Sequence, residues 1–114
     1  MLRLRLTLLV CLLALAGWIT AGASARPRME PKPDEGARVA KYARRFLGVR
    51  YVYGGASPRY GFDCSGFVAY VFRHFGFRLP HYTYAQYGLG RHVPRRRLEP
   101  GDLGFFNSLS HVGL

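Results

Sequence analysis

Two stretches of the chain place their apolar residues at helical spacing. In residues 37–47, cationic side chains interrupt an apolar face made of Val39, Ala40, Ala43, Phe46 and Leu47. In residues 64–75, the stripe contains Cys64, Phe67, Val68, Val71, Phe72 and Phe75. Asp63 precedes this second stretch as a potential N-cap, and Gly76 follows it as a stop. The pattern therefore predicts two amphipathic helices.

Short strand-like runs surround these helices. Residues 49–53 form a β-type run that two glycines interrupt, and the turn-rich segment 56–61 reads as a loop. Residues 103–106 and 110–114 predict two further strands, and residues 83–87 predict a single helical turn. No internal repeat accompanies these elements.

The first 36 residues have a different character. A positive start with Arg3 and Arg5 precedes an apolar run, and small residues at 23–25 resemble a cleavage site, so residues 1–25 are predicted to be a secretory signal peptide. The apolar run is shorter than the ~20 residues of a membrane-spanning helix, although an uncleaved membrane anchor remains the alternative. Residues 26–36 contain three prolines and many charges, which predicts an extended linker before a domain at 37–114.

Charge narrows the classes of partner. The 114 residues include 17 Lys and Arg against 6 Asp and Glu, a formal net charge of +11. This excess favours an anionic partner such as nucleic acid, anionic lipid or a polyanionic cell surface. The signal peptide argues against nucleic acid, and the arginines of Arg95–Arg97 are more simply a solvated loop.

The cysteines point to a reactive thiol. Cys11 falls within the predicted signal peptide, so Cys64 alone would remain, as a packing residue, an intermolecular bridge or a nucleophile. Its position at a predicted helix start favours a thiolate. His111 lies on a predicted strand whose next residue, Val112, should face the opposite side. A Cys-His hydrolase pair is one interpretation; a packed cysteine and a satisfied histidine are the other.

Five motifs follow one another along the predicted domain: YVYGG at 51–55, FDCSGF at 62–67, LP at 79–80 with AQY at 85–87, PGDL at 100–103 with FF at 105–106, and SHVG at 110–113. This series resembles the NlpC-type family of bacterial cell-wall cysteine peptidases over residues 37–114. The resemblance implies an α+β, papain-like fold with the nucleophile helix packed on an antiparallel sheet. It also implies hydrolysis of amide bonds in peptidoglycan stem peptides, often between γ-D-glutamate and a diamino acid.

The resemblance assigns roles to individual residues. Cys64 matches the nucleophile, His111 the general base and Tyr51 a tyrosine near the oxyanion, while Asp63 and Ser65 match polar residues that help to hold the substrate. From the residues alone, Asp63 is equally well an N-cap and Tyr51 equally well a core ring with a satisfied hydroxyl.

The chain also departs from the family pattern. A third polar residue usually follows the histidine by about a dozen positions, whereas this sequence stops three residues after His111. We therefore expect a domain truncated after the His-bearing strand and lacking its imidazole orienter. Where the family tends to carry Arg and Ser or Thr, residues 81–84 keep only Thr83. Gln86 is interpreted as a helix-surface residue.

Together these features predict a secreted cysteine endopeptidase of peptidoglycan, located in the cell wall or periplasm. A catalytically incompetent wall-binding remnant is the alternative, favoured by the missing orienter. Neither a metal nor another cofactor is expected, because one cysteine and scattered histidines lack ligand spacing. The expected partners are peptidoglycan and anionic wall polymers, with no nucleic acid, no membrane span after signal cleavage, and a monomeric state.

Overall fold

The computed structural model describes residues 32–114, so the predicted signal peptide, Cys11 and most of the predicted linker lie outside the described residues. The helical elements are α1 (Pro33–Ala43), a 3₁₀ turn (Arg44–Phe46), α2 (Cys64–His74), α3 (Thr83–Tyr87) and a second 3₁₀ turn (Arg95–Arg97). The strands are β1 (Ala56–Ser57), β2 (Gly61–Phe62), β3 (Gly104–Phe106) and β4 (His111–Gly113).

Helix α1 begins four residues before its predicted start, so the prediction of an extended linker is wrong for residues 33–36. A proline fits the first helical turn because its missing N–H would be unpaired there. Asp34 and Glu35 then place negative charge at the positive end of the helix dipole. Gly36 packs so tightly that an added Cβ would lie 2.1 Å from the carbonyl oxygen of Pro100. This contact ties the helix to the rest of the domain.

Helix α2 confirms the sequence-based prediction to within one residue. The Asp63 side chain accepts a hydrogen bond from the Gly66 N–H, which makes Asp63 the N-cap. Gly76 ends the helical segment with a φ of +88°, a conformation that glycine adopts without steric cost. The side chains that α2 buries join those of α1 and β4 in one core, made of Val39, Ala43, Val68, Val71, Phe72 and Val112.

The β-type run predicted at 49–53 forms no regular strand. The turn predicted within 56–61 is confirmed at residues 58–60, but the ends of that segment are strands and not loop. Residues 56–62 fold back as the antiparallel hairpin β1–β2, and the 49–53 segment keeps a single parallel bridge from Tyr51 to Phe62. This segment lies very close to β2, so that a Cβ on Gly61 would lie 2.5 Å from the Val52 side chain and 2.8 Å from the Arg50 carbonyl oxygen. Close contact at Gly61, whose φ is +116°, thus takes the place of a regular ladder of hydrogen bonds between the two segments.

The second hairpin confirms the alternation predicted for the histidine strand. β3 and β4 pair antiparallel with Phe106 opposite His111. Val112 is buried in the core beside α2, whereas His111 is exposed. The domain is therefore α+β, with a central helix packed against short antiparallel hairpins. Within residues 32–114, no helix is long and apolar enough to cross a membrane.

Candidate active site at the start of helix α2

A cavity of about 430 Å³ opens at the N-terminus of α2. Four of the five predicted site residues line it, namely Tyr51, Asp63, Cys64 and Ser65. The fifth, His111, is not among its lining residues, although the two residues before it, Leu109 and Ser110, are. The remaining walls come from Tyr53, Gly54, His81, Tyr82, Thr83 and Tyr84. The structure thus brings the predicted nucleophile and its flanking groups together, and His111 follows directly after two residues of the cavity wall without lining the cavity itself.

Cys64 is the first residue of α2, and its thiol is partly buried. The sulfur lies 3.9 Å from the Thr83 hydroxyl oxygen. Among residues 32–114, the backbone N–H groups of Cys64 and Ser65 donate to no protein acceptor. Unpaired N–H groups at a helix start, together with the positive end of the helix dipole, can donate hydrogen bonds to a developing oxyanion.

The Asp63 carboxylate connects three segments of the site through hydrogen bonds. It accepts hydrogen bonds from the N–H groups of Gly66 (2.7 Å) and Gly54 (2.9 Å), and Oδ1 lies 2.5 Å from His81 Nε2. Partial burial acts to raise the pKa of this carboxyl, but the hydrogen bonds from Gly66, His81 and Gly54 outweigh it and hold the pKa below its ordinary value. Asp63 is therefore an ionised N-cap that also positions His81, and it is not a free acid or base.

Tyr51 lines the cavity with 63% of its surface exposed, so the interpretation as a core ring is wrong. Desolvation, followed by the neighbouring charges of Cys64 and Asp63, raises the pKa of its hydroxyl above the ordinary value. The phenol thus keeps its proton at neutral pH. It is available as a hydrogen-bond donor beside the thiol.

Gln86 is buried, with 3% of its surface exposed, so its interpretation as a helix-surface residue is wrong. Its amide nitrogen donates to the carbonyl oxygens of Ser65 (2.9 Å) and Pro80 (2.8 Å). These bonds connect the first turn of α2 to the segment that carries His81. The spacing of Thr83 and Gln86, three apart in a helical turn and so on one face, is the sequence signal for this role.

A second cavity of about 690 Å³ lies on the other side of His81. Its lining residues are Ala56, Gly66, Ala69, Tyr70, Arg73, Gly76, Arg78, Leu79 and His81, a set with two guanidinium groups and no carboxylate. The Arg73 guanidinium carbon lies 5.5 Å from the centre of the Tyr70 ring. Within the described part of the chain, no group of three or more His, Cys, Asp and Glu residues is arranged to hold a metal ion.

Comparison with known proteins gives a consistent result. A protein-family model described as the NlpC/P60 family matches residues 48–114. The gamma-DL-glutamyl hydrolase of Bacillus subtilis (strain 168) is 39% identical over 82 residues, which cover 67% of this chain and 20% of that protein. The murein DD-endopeptidase MepS/murein LD-carboxypeptidase of Escherichia coli (strain K12) is 42% identical over 85 residues, covering 71% of this chain and 45% of that protein. The chain thus spans less than half the length of these relatives.

Solved structures show the same fold. The crystal structure of the NlpC/p60 domain of the peptidoglycan hydrolase SagA superposes with a TM-score of 0.62 and 36% identity, covering 68% of each chain. A lipoprotein-like NLP/P60 structure from Staphylococcus aureus gives a TM-score of 0.65 and 33% identity, covering 73% of this chain and 31% of that one. The predicted papain-like α+β fold is thereby confirmed.

Proposed function

The chain belongs to the NlpC/P60 family, and from this premise we propose that it is a secreted cysteine endopeptidase of peptidoglycan stem peptides. The bond we assign is the amide between γ-D-glutamate and a diamino acid. The observation that carries the proposal is the position of Cys64, at the start of α2 in a cavity with unpaired N–H groups and the Tyr51 hydroxyl. The signal peptide that secretion requires is the one predicted at residues 1–25.

In the proposed reaction, the Cys64 thiolate attacks the scissile carbonyl carbon and forms a C–S bond. The N–H groups of Cys64 and Ser65 and the Tyr51 hydroxyl donate to the resulting oxyanion. The C–N bond then breaks, and the protonated His111 imidazole gives its proton to the leaving amine, which produces a thioester. His111 next takes a proton from water, the hydroxide attacks the thioester, and the thiolate departs from a free carboxylate.

Two features support His111 as the base in place of His81. The neighbour of His111, Val112, is buried in the core with residues of α2, which fixes β4 relative to the nucleophile helix. His81 instead has its Nε2 engaged by the Asp63 carboxylate. His81 is therefore assigned to the cavity wall.

The wall-binding remnant stays the second candidate for one specific reason. Among residues 32–114, no side chain hydrogen-bonds the His111 ring, whose described ring contact is to Phe106 at 6.4 Å between centroids. An imidazole without an orienting partner is a weaker base catalyst, because its tautomer and direction are not fixed.

Hydrolysis of purified peptidoglycan by the full chain separates the two candidates. We expect new amino groups to appear with wild-type protein and not with Cys64→Ala, and product masses to place the cut between γ-D-glutamate and the diamino acid. If wild-type protein and Cys64→Ala released equal amounts of amino groups while both bound to the sacculus, the proposal of an enzyme would be rejected and the wall-binding remnant would be favoured.

We also propose that the excess positive charge holds the protein on anionic wall polymers, with the second cavity as one contact. Arg73 and Arg78 face it without a lining carboxylate, and guanidinium groups pair well with phosphate and carboxylate. We expect Arg73→Gln/Arg78→Gln to weaken sedimentation with cell walls several-fold at low salt. The matched control is Arg95→Gln/Arg96→Gln, which removes the same charge from a 3₁₀ turn outside both cavities. Equal losses of sedimentation in the two double variants would show that binding to cell walls depends on net charge alone and not on the second cavity.

A further inference from the structure

The Thr83 hydroxyl is paired with the Cys64 thiol. Thr83 is the first residue of α3 and lines the Cys64 cavity, yet only 7% of its surface is exposed. Its hydroxyl oxygen lies 3.9 Å from the sulfur, a longer contact than between two oxygens because sulfur is the larger atom. Within residues 32–114, neither the hydroxyl nor the sulfur has another hydrogen-bond partner. A buried hydroxyl is costly unless it is hydrogen-bonded, so this side chain depends on the sulfur.

Helix α3 is held against the start of α2, which fixes the place of the hydroxyl. Gln86 lies one turn after Thr83, is buried, and donates from its amide to the Ser65 carbonyl oxygen at 2.9 Å. The Tyr84 hydroxyl donates to the Ser108 carbonyl oxygen, at 3.1 Å, in the turn between β3 and β4. Threonine itself is stiff, because its branched Cβ restricts rotation of the side chain. The hydroxyl is therefore held beside the sulfur from both ends of the helix turn.

A hydroxyl can pair with the sulfur in both of its protonation states. A thiol is a weak donor and a weak acceptor, and a threonine hydroxyl can donate or accept. Once the thiol proton has left, the sulfur can only accept, and the hydroxyl donates to it. Hydrogen bonds to ionised groups are stronger than neutral ones. With the hydroxyl on the sulfur, the N–H groups of Cys64 and Ser65 stay available to the oxyanion.

We propose that Thr83 is a positioning residue for the Cys64 nucleophile, whose hydroxyl holds the sulfur in one direction and donates a hydrogen bond to it once it is ionised. The inference rests on the proposed function, since it takes Cys64 as the nucleophile. The ionisable groups that line the same cavity are Tyr51, Tyr53, Asp63, His81, Tyr82 and Tyr84. In the described part of the chain none of them hydrogen-bonds the sulfur, so a change at Thr83 alone isolates the hydroxyl.

Alkylation of Cys64 in the full chain measures this contact without depending on hydrolysis. The probe is iodoacetamide, and the rate is followed across pH by mass spectrometry of the peptide that contains Cys64, so that Cys11 does not contribute. We expect Thr83→Val, which replaces the hydroxyl with a methyl group, to move the midpoint of the profile to higher pH by about half a unit to one unit, the effect of one hydrogen bond. A thiolate without that bond is more nucleophilic, so the variant should react more slowly at low pH and at least as fast at high pH.

Further variants separate the hydrogen bond from packing. Thr83→Ser keeps the hydroxyl and should retain the wild-type profile, whereas Thr83→Ala should shift it in the same direction as Thr83→Val. The matched control is Ala85→Val, which alters α3 outside both cavities and should leave the profile unchanged. With a soluble stem-peptide substrate, Thr83→Val should lower kcat by about three- to tenfold and change KM by less than about twofold, because the lost contact is to the reacting atom.

The proposal would be overturned by an unchanged profile in Thr83→Val, or by a rate altered by the same factor at every pH, since altered packing alone would scale the rate uniformly. It would also be overturned if Thr83→Ser shifted the profile as far as Thr83→Val does. Failure of the proposed function would appear separately, as no Cys64-dependent hydrolysis by the wild-type protein, whatever the alkylation profiles show.

Discussion

Replacing His111 with alanine is expected to lower Cys64-dependent hydrolysis of peptidoglycan by about 10²–10⁴-fold, the range for loss of a general acid–base group. The proposed mechanism needs one imidazole twice, first to protonate the leaving amine and then to activate water. Because His111 is exposed and Val112 carries the packing of β4, the substitution should leave the fold intact. The measurement is the initial rate of amino-group release, with thermal unfolding of each variant beside it.

Two other histidines make this prediction specific. His92 lies outside both cavities, with its Nδ1 3.3 Å from the Tyr87 hydroxyl, and His92→Ala should keep the wild-type rate within about twofold, as surface substitutions usually do. His81→Ala removes a partner of Asp63, for which we expect a loss of about tenfold, smaller than that for His111→Ala. A larger loss in His81→Ala would contradict our assignment and make His81 the base.

Local signals explain the features that the sequence predicted well. The N-cap at Asp63, the apolar stripe of α2 and the stop at Gly76 each act within a few residues, so a short window contains the information. The same holds for the alternation of His111 and Val112 along β4. The cluster of Asp63, Cys64 and Ser65 required no long-range knowledge, because these residues are adjacent in the chain.

Long-range contacts explain the failures. The close packing of Gly36 against Pro100 and the approach of Val52 to Gly61 join segments that no local pattern connects. Glutamine is a residue type usually found at the surface, yet the Gln86 amide donates a hydrogen bond to the carbonyl of Ser65, 21 residues earlier in the chain. The pairing of Asp63 with His81 also depends on that packing, so the sequence indicated a cap and left its partner unassigned.

Gly66→Ala is expected to destabilise the domain and abolish the proposed Cys64-dependent hydrolysis, although alanine is the better helix former. Intrinsic propensity would favour alanine in α2 by about 1 kcal/mol. The added Cβ, however, would lie 2.1 Å from the Gly55 carbonyl oxygen and 2.8 Å from both Asp63 Oδ1 and His81 Nε2. The Gly55 carbonyl accepts the Asp63 N–H at 2.9 Å, so displacing it strains the N-cap that positions Cys64.

Overpacking of this kind costs about 1–3 kcal/mol or more, and a weakened cap adds about 1 kcal/mol, so the steric terms exceed the gain in propensity. We expect the melting temperature to fall by about 10 °C, given the usual conversion for a small domain. Gly90→Ala is the control, because no heavy atom lies within 4 Å of its added Cβ. The prediction would be contradicted if Gly66→Ala had the same melting temperature as Gly90→Ala and hydrolysed peptidoglycan at the wild-type rate. The Gly55 carbonyl would then move aside at no cost, and the position of Cys64 would not depend on the geometry of the N-cap.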